Sequence, residues 1–153
     1  MKRGSGAARK LAAGDERPGR PLAKADYETL AQFRYLLRSF AAFSEEAARA
    51  TGLTAQHHQA LLAVRGFPGR DQVTIGELAE RLNLRHHSAV GLVDRLVVRG
   101  LLQRTRDESD RRRVLIGITV AGRALLARLS RAHRDELQRL APLLRTLLER
   151  ISA

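Results

Sequence analysis

The chain has 153 residues, of which 44% are hydrophobic, so it suits one compact domain with a tail and excludes two large domains. Its formal charge of +12, from 28 Lys and Arg against 16 Asp and Glu, makes an anionic polymer or surface the expected partner, and nucleic acid fits best. The sequence contains no cysteine, which excludes disulfides, thiolate metal sites and cysteine nucleophiles.

Residues 1–24 form a basic segment with several Gly and Pro residues and no apolar periodicity, which is typical of a disordered arm. Two interpretations stay open: a solvated tail, or an arm that contacts phosphates through charge alone. The segment lacks the apolar stretch of a secretory signal, and the sequence has no run of roughly 18 apolar residues. We therefore expect a cytoplasmic, nucleoid-associated protein with no membrane partner.

Two helices are predicted after this arm. The first should cover about 25–50, because apolar residues recur there at intervals of three and four. These residues are Leu30, Phe33, Leu37, Phe40 and Ala47. Gly52 suits the left-handed residue that ends this helix, and Thr54 suits the cap of the second. The second helix should bury Ala60, Leu61 and Val64 and stop near 66–69.

The next segment predicts two short helices that meet across a tight turn. Thr74 and Glu77 have the spacing of a capping box, in which each side chain satisfies an unpaired backbone amide. Asn83 suits a turn residue with positive φ, and a further helix over about 86–99 should end at Gly100. The predicted buried residues of the two helices are Leu78, Ala79, Leu82, Ala89, Leu92, Val93 and Leu96.

Strand is expected only in one β-hairpin, formed by residues 101–106 and 114–118 around a charged tip. Thr119 can cap a final helical region with more leucines than one small domain can cover, and Pro142 predicts its division into two helices. The predicted class is mainly α with a small β-hairpin wing. Such a helix-turn-helix and basic hairpin can place a helix in the major groove of DNA while the hairpin reaches the backbone or minor groove.

Short motifs in a fixed order resemble the MarR family of bacterial regulators over about residues 26–153. They are Leu53-Thr54 with Gln56, Thr74 to Leu82, Leu92-Val93-Asp94-Arg95-Leu96, Gly100-Leu101, Asp107 with Asp110-Arg111-Arg112, and Thr119 with Gly122. The resemblance implies a single domain over 25–153: a winged helix-turn-helix (about 54–118) plus N- and C-terminal dimerisation helices (about 25–50 and 119–153). It also implies a homodimer that binds double-stranded DNA at a palindromic operator, as a repressor released by a small-molecule effector. The surplus leucines independently require a partner.

The resemblance also assigns residues to DNA binding. They are Arg85, His86, His87, Ser88, Gly91 and Arg95 in the recognition helix, and Arg106, Asp110, Arg111, Arg112 and Arg113 in the wing. Arg112 would enter the minor groove, with its guanidinium oriented by Asp110; an exposed salt bridge is the alternative. Arg85 stands where the family usually has a Ser or Thr cap, and Gly91 where many members have a long base-reading side chain. These departures predict modest sequence readout.

For the pair His86 and His87, ordinary surface exposure and metal binding are the alternatives. Adjacent side chains on a helix point about 100° apart and no further ligand is near in sequence, so we expect no metal or cofactor. The resemblance also implies an effector, often a small anionic aromatic, bound where the dimerisation helices meet the DNA-binding part. Tyr35, Arg38, His57 and His58 lie on the helices that would line this cavity, with ordinary packing or exposure as the alternative for each.

Three other functions are alternatives for this sequence: a nucleoid-type structural DNA binder, a membrane-surface protein and an enzyme. The C-terminal leucines could lie on lipid, but a dimer core explains them equally well and the hairpin would stay unexplained. An enzyme is not expected, because five scattered His residues, no Cys and no glycine-rich phosphate loop provide no catalytic constellation.

Overall fold

The computed structural model describes residues 21–152, which form five helices and three short strands. The helices are α1 (Lys24–Arg49), α2 (Ala55–Arg65), α3 (Ile75–Arg81), α4 (His86–Val98) and α5 (Val120–Ser152), and the strands are β1 (Gln72–Val73), β2 (Leu102–Arg106) and β3 (Val114–Ile118). This confirms the predicted mainly helical class with a small β wing. Most of the predicted basic arm, residues 1–20, lies outside the described residues.

The helices α2 and α3 begin at the caps that the sequence predicts. The Thr54 hydroxyl accepts the backbone N–H of His57 at 3.1 Å. At α3, the Thr74 hydroxyl accepts the backbone N–H of Glu77 at 3.3 Å, and the Glu77 carboxylate accepts the N–H of Thr74 at 2.8 Å. This backbone hydrogen bond from Thr74 is the main reason that the pKa of Glu77 lies below its ordinary value.

Two separate hydrophobic clusters organise the molecule. The first lies mainly inside residues 55–118, called here the winged lobe, and includes Leu61, Leu92 and Ile116. The residues that complete it from α1, the following loop and α5 are Ala48, Leu53, Leu126 and Leu129. The second joins Leu36 of α1 to Leu140 and Leu147 of α5. It lies in a helical stalk, defined as residues 24–40 of α1 and 137–152 of α5. The long helix α5 therefore connects the lobe to the stalk.

The sheet has three antiparallel strands in the order β1-β3-β2. Val73 of β1 and Arg104 of β2 are both paired with Ile116 of β3. The prediction that strand is confined to one ribbon is therefore wrong. With only two residues, β1 is too short to show a period, and it is set by its pairing with β3, which lies far along the chain.

The prediction that Pro142 divides the last helix is also wrong, since α5 continues from Val120 to Ser152. A proline inside a helix costs about 3 kcal/mol through a lost hydrogen bond and a ring clash. Leu140 and Leu147, on either side of it, are both buried in the stalk cluster, and this packing keeps the two halves in one helix. The Pro142 ring itself is exposed.

The start of α5 is fixed against the winged lobe at very short range. The Thr119 hydroxyl donates to the Gly100 carbonyl oxygen at 2.6 Å and accepts the N–H of Gly122 at 3.0 Å, which confirms its role as a cap. A Cβ atom on Gly122 would lie 2.2 Å from the Leu101 carbonyl oxygen. Only glycine fits there without a shift of the backbone.

Large apolar side chains stay exposed on α1 and α5 in the single chain. Tyr27, Leu30, Tyr35, Leu37, Leu137, Leu143, Leu148 and Ile151 are between 42% and 57% exposed. In α1 the buried residues are Thr29, Leu36 and Ala48, so the predicted stripe through Leu30 and Leu37 is not buried within one chain. None of the helices in residues 21–152 is long and apolar enough to cross a bilayer.

Candidate nucleic-acid interface

The first turn of α4 presents polar groups outward. Arg85, His86 and His87 are exposed, whereas Ser88 is half-buried and Ala89 is fully buried. Arg85 occupies the cap position and makes no side-chain cap hydrogen bond, and the first turn contains no acidic residue. The positive end of this helix is thus open to an anion such as a phosphate group.

Gly91 and Arg95 lie one turn apart on α4. A Cβ atom on Gly91 would be 3.5 Å from Nη1 of Arg95, so the guanidinium folds back beside the glycine. Arg95 is exposed. The Arg95 guanidinium therefore occupies the space into which a longer side chain at position 91 would project. Such a side chain would displace the guanidinium.

The tip of the β2–β3 wing is held by its own hydrogen bonds. The Asp107 carboxylate accepts the hydroxyl of Ser109 at 2.7 Å and its backbone N–H at 2.9 Å. These bonds, the hydroxyl first, hold the pKa of Asp107 below its ordinary value. The Asp107 N–H donates to the Arg113 carbonyl oxygen at 3.0 Å. An ion pair also joins Nη1 of Arg113 to Oδ2 of Asp107 at 3.8 Å. The tip has a defined shape in the free chain.

Asp110 does not orient the guanidinium of Arg112, which corrects the expected contact. Its carboxylate accepts the backbone N–H of Arg112 at 3.0 Å. An Asp side chain readily reaches the amide two residues ahead, and this local bond replaces the expected ion pair. Asp110 therefore shapes the turn that presents Arg112.

The arginines of this region divide into engaged and free groups. Arg99 Nη1 donates to the Gly52 carbonyl oxygen at 2.7 Å. Arg104 pairs with Asp94, and this ion pair joins β2 to α4. Within residues 21–152, five exposed arginines of α4 and the wing form no ion pair: Arg85, Arg95, Arg106, Arg111 and Arg112.

The four residues expected to line an effector cavity are not brought together in the single chain. Tyr35 and Arg38 are exposed on α1, whereas His57 and His58 are buried on α2. Neither the 580 Å³ cavity between α1 and α5 nor the 300 Å³ cavity beside Arg65 is lined by any of them.

The two buried histidines of α2 have different surroundings. His57 Nδ1 accepts the N–H of Thr54 at 3.3 Å, which makes it part of a capping box. Burial, and then the positive charges of Arg99 and Arg95, lower the pKa of His57. His58 instead contacts the ring of His133 on α5.

His133 was not predicted, although the sequence carries a signal for it. It is a polar residue in the apolar stripe of α5 that includes Leu126, Leu129 and Leu140. In residues 21–152, no three His, Asp or Glu side chains are placed to hold a metal ion.

Residues 51–113, which include α2, α3, α4 and β2, match the model of the MarR family. This segment carries a MarR-family winged helix-turn-helix. No curated protein sequence matches the chain. The matched segment thus contains the helix-turn-helix and the first strand of the wing.

Solved structures share this MarR-family fold. AbsC, a MarR family transcriptional regulator from Streptomyces coelicolor, is 19% identical with a TM-score of 0.65, covering 79% of this chain and 81% of that chain. A MarR mutant from E. coli has the same identity and TM-score, covering 88% and 100%. A mutant of S. aureus MepR bound to an oligodeoxyribonucleotide is 19% identical with a TM-score of 0.63, covering 80% and 94%. At these identities the likeness concerns the fold.

Proposed function

We propose that this MarR-family chain is a DNA-binding transcription regulator: a homodimer that binds a palindromic operator and represses until an effector releases it. The observation that carries the proposal is the open end of α4 beside a wing that presents free arginines. The match to the MarR family and the oligodeoxyribonucleotide bound to MepR support the choice of DNA as the anion.

In this proposal α4 lies in the major groove. His87 and Ser88, in its first turn, contact base edges or phosphates, and Arg85 and His86 lie beside them. Arg85 opposes the helix dipole, so a bound phosphate would relieve a repulsion as well as form a contact. Gly91 adds no base contact of its own, but it leaves room for Arg95.

The wing would reach the minor groove through Arg112. Its guanidinium forms no ion pair within the described residues, so binding need not first break one. Asp110 and the hydrogen bonds of Asp107 fix the turn beforehand, which lowers the entropy lost when the arginine inserts. Arg106, Arg111 and Arg113 would contribute positive charge along the same hairpin.

A second copy is the proposed cover for the exposed apolar residues of α1 and α5. Complete burial of a fully exposed Leu or Ile side chain contributes roughly 1.5–3 kcal/mol. Several Leu and Ile side chains on the two helices are about half exposed, so a partner that covers them would add a substantial part of this free energy for each. A two-fold axis through the stalk would present two copies of α4 to half-sites about 34 Å apart on one face of DNA.

In this proposal the effector binds beside α1. Tyr35 and Arg38 lie three residues apart on α1 and offer an exposed aromatic ring and a cation, which would suit a small anionic aromatic molecule. His57 and His58 are buried on α2, so they would respond to such a molecule only if the packing around them opens. The effector would then change the spacing of the two α4 helices.

The test is a gel-shift titration against the DNA upstream of the protein's own gene, with an excess of random DNA. We expect tight binding that survives the competitor and weakens steeply as salt rises. A flat salt response would contradict DNA binding through this basic surface.

A nucleoid-type, sequence-tolerant DNA binder is the second candidate. Gly91 favours it, because this position lacks a base-reading side chain. In the same titration, random DNA would then abolish the shift.

A further inference from the structure

A pair of buried histidines lies between the two hydrophobic clusters. The ring centroids of His58 on α2 and His133 on α5 are 4.4 Å apart, and the side chains are only 3% and 8% exposed. Along α5, His133 comes after Leu129 of the lobe cluster and before Leu140 of the stalk cluster. The pair therefore marks the point at which α5 leaves the winged lobe.

His133 is held between α1 and α5, in the part of α5 that connects the lobe to the stalk. Its Nδ1 lies 2.7 Å from the Leu129 carbonyl oxygen and its Nε2 lies 2.8 Å from the Ser44 hydroxyl of α1. Because a carbonyl oxygen only accepts, Nδ1 donates in the first bond, and Nε2 forms the second with the Ser44 hydroxyl. The rings of Phe40 and Phe43 meet the imidazole edge-on at 5.8 and 5.4 Å. Both nitrogens of His133 are thus already used.

His58 is buried without such bonds. Neither of its ring nitrogens has a hydrogen-bond partner among residues 21–152. A neutral imidazole has one donor and one acceptor, and water would satisfy both as soon as the ring left this site. The neutral ring stays buried because its contact with His133 and the surrounding apolar packing outweigh the loss of these two hydrogen bonds.

A proton on His58 would find no counter-charge in this site. His133 faces it from α5, and α1 contributes the Phe40 and Phe43 rings and the Ser44 hydroxyl, which is bonded to His133. On its own helix, His57 is bonded to Thr54. No carboxylate of residues 21–152 bonds to either ring. Burial first, and then the charge of His133, lower the pKa of His58 from 6.5 to about 4.

We propose that the contact between His58 and His133 is a proton-sensitive latch, which acid opens so that the winged lobe moves relative to the stalk. The latch itself does not depend on the proposed function. Only its consequence does, because the proposed function places the DNA-binding surface on the moving lobe. With a released ring titrating at 6.5 and a latched ring at about 4, the population of the open form rises roughly 30-fold between pH 7.5 and 5.0.

The experiment measures the distance between lobe and stalk within one chain. Because the chain contains no cysteine, Val98→Cys on α4 and Arg145→Cys on α5 provide two unique spin-label positions, and both residues are exposed. Dilution with unlabelled protein removes distances between chains. Double electron–electron resonance at pH 7.5 and 5.0 then reports lobe movement without DNA, so its result is independent of operator binding.

We expect a shifted or broader distance distribution at pH 5.0 in the otherwise unchanged chain, and no pH response after His58→Phe, which keeps a ring but cannot take a proton. His58→Gln, also unable to titrate in this range, replaces it if the Phe variant does not fold, and circular dichroism at both pH values shows that each protein stays folded. Identical distributions at the two pH values, or an equal shift in the His58 variant, would overturn the latch.

Discussion

Removal of the wing-tip guanidinium by Arg112→Ala should weaken operator binding and reduce its salt dependence. The five free arginines of α4 and the wing amount to roughly ten in a dimer, which corresponds to a slope of log K against log salt of about −9 if all contact DNA. Loss of Arg112 from both chains should reduce the slope to about −7. At about 1 kcal/mol for each copy, the affinity should fall roughly 30-fold.

The assay is fluorescence anisotropy with a labelled operator at several salt concentrations, and Arg145→Ala is the matched control. Arg145 is an exposed arginine of the stalk, so its removal changes the net charge equally without touching the wing. Thermal unfolding should be the same for both variants because Arg112 forms no ion pair within the described residues. Equal losses of affinity in the two variants would refute a specific role of the wing and leave only the overall charge.

Three further predictions concern the scaffold. Gly122→Ala forces a Cβ atom to 2.2 Å from the Leu101 carbonyl oxygen, so urea denaturation should show a loss of about 1–3 kcal/mol. Asp110→Ala should weaken operator binding several-fold in the anisotropy assay without lowering the melting temperature, because it frees only the amide of Arg112. As pH falls from 6.5 to about 4, the unfolded chain takes up a proton at His58 before the folded chain does, so stability declines. In denaturation curves, the free energy of unfolding of the unchanged chain should decline by up to about 3 kcal/mol more than that of His58→Phe. Equal declines in the two proteins would contradict the burial of His58.

Sequence reasoning succeeded where short-range chemistry decides the structure. Thr54 and Thr74 cap their helices through residues three positions ahead, and Asn83 has the expected positive φ of 53°. The buried faces of α2 and α4 follow directly from the helical period, with Leu61 and Leu92 fully buried. These features depend on nearby residues only.

The failures share a dependence on distant contacts or on competing hydrogen bonds. β1 exists because β3 pairs with it, and α5 continues through Pro142 because the stalk cluster holds both sides. Arg112 offers Asp110 two hydrogen-bond donors, the guanidinium and the backbone N–H. In this turn the Asp110 carboxylate accepts from the backbone N–H. The sequence likewise does not indicate which arginines form no ion pair, because each ion pair depends on how the hairpin packs against α4.

The arrangement of the two clusters gives the proposed regulation a mechanical basis. Gly122 and Thr119 fix the first turn of α5 to the lobe, whereas Leu140 and Leu147 fix its far end to α1. Any change in the angle between lobe and stalk must then be absorbed between these two anchored ends, which is the segment that contains His133. An effector beside α1 and a proton on His58 would act on the same junction, so we expect the two signals to be coupled rather than additive.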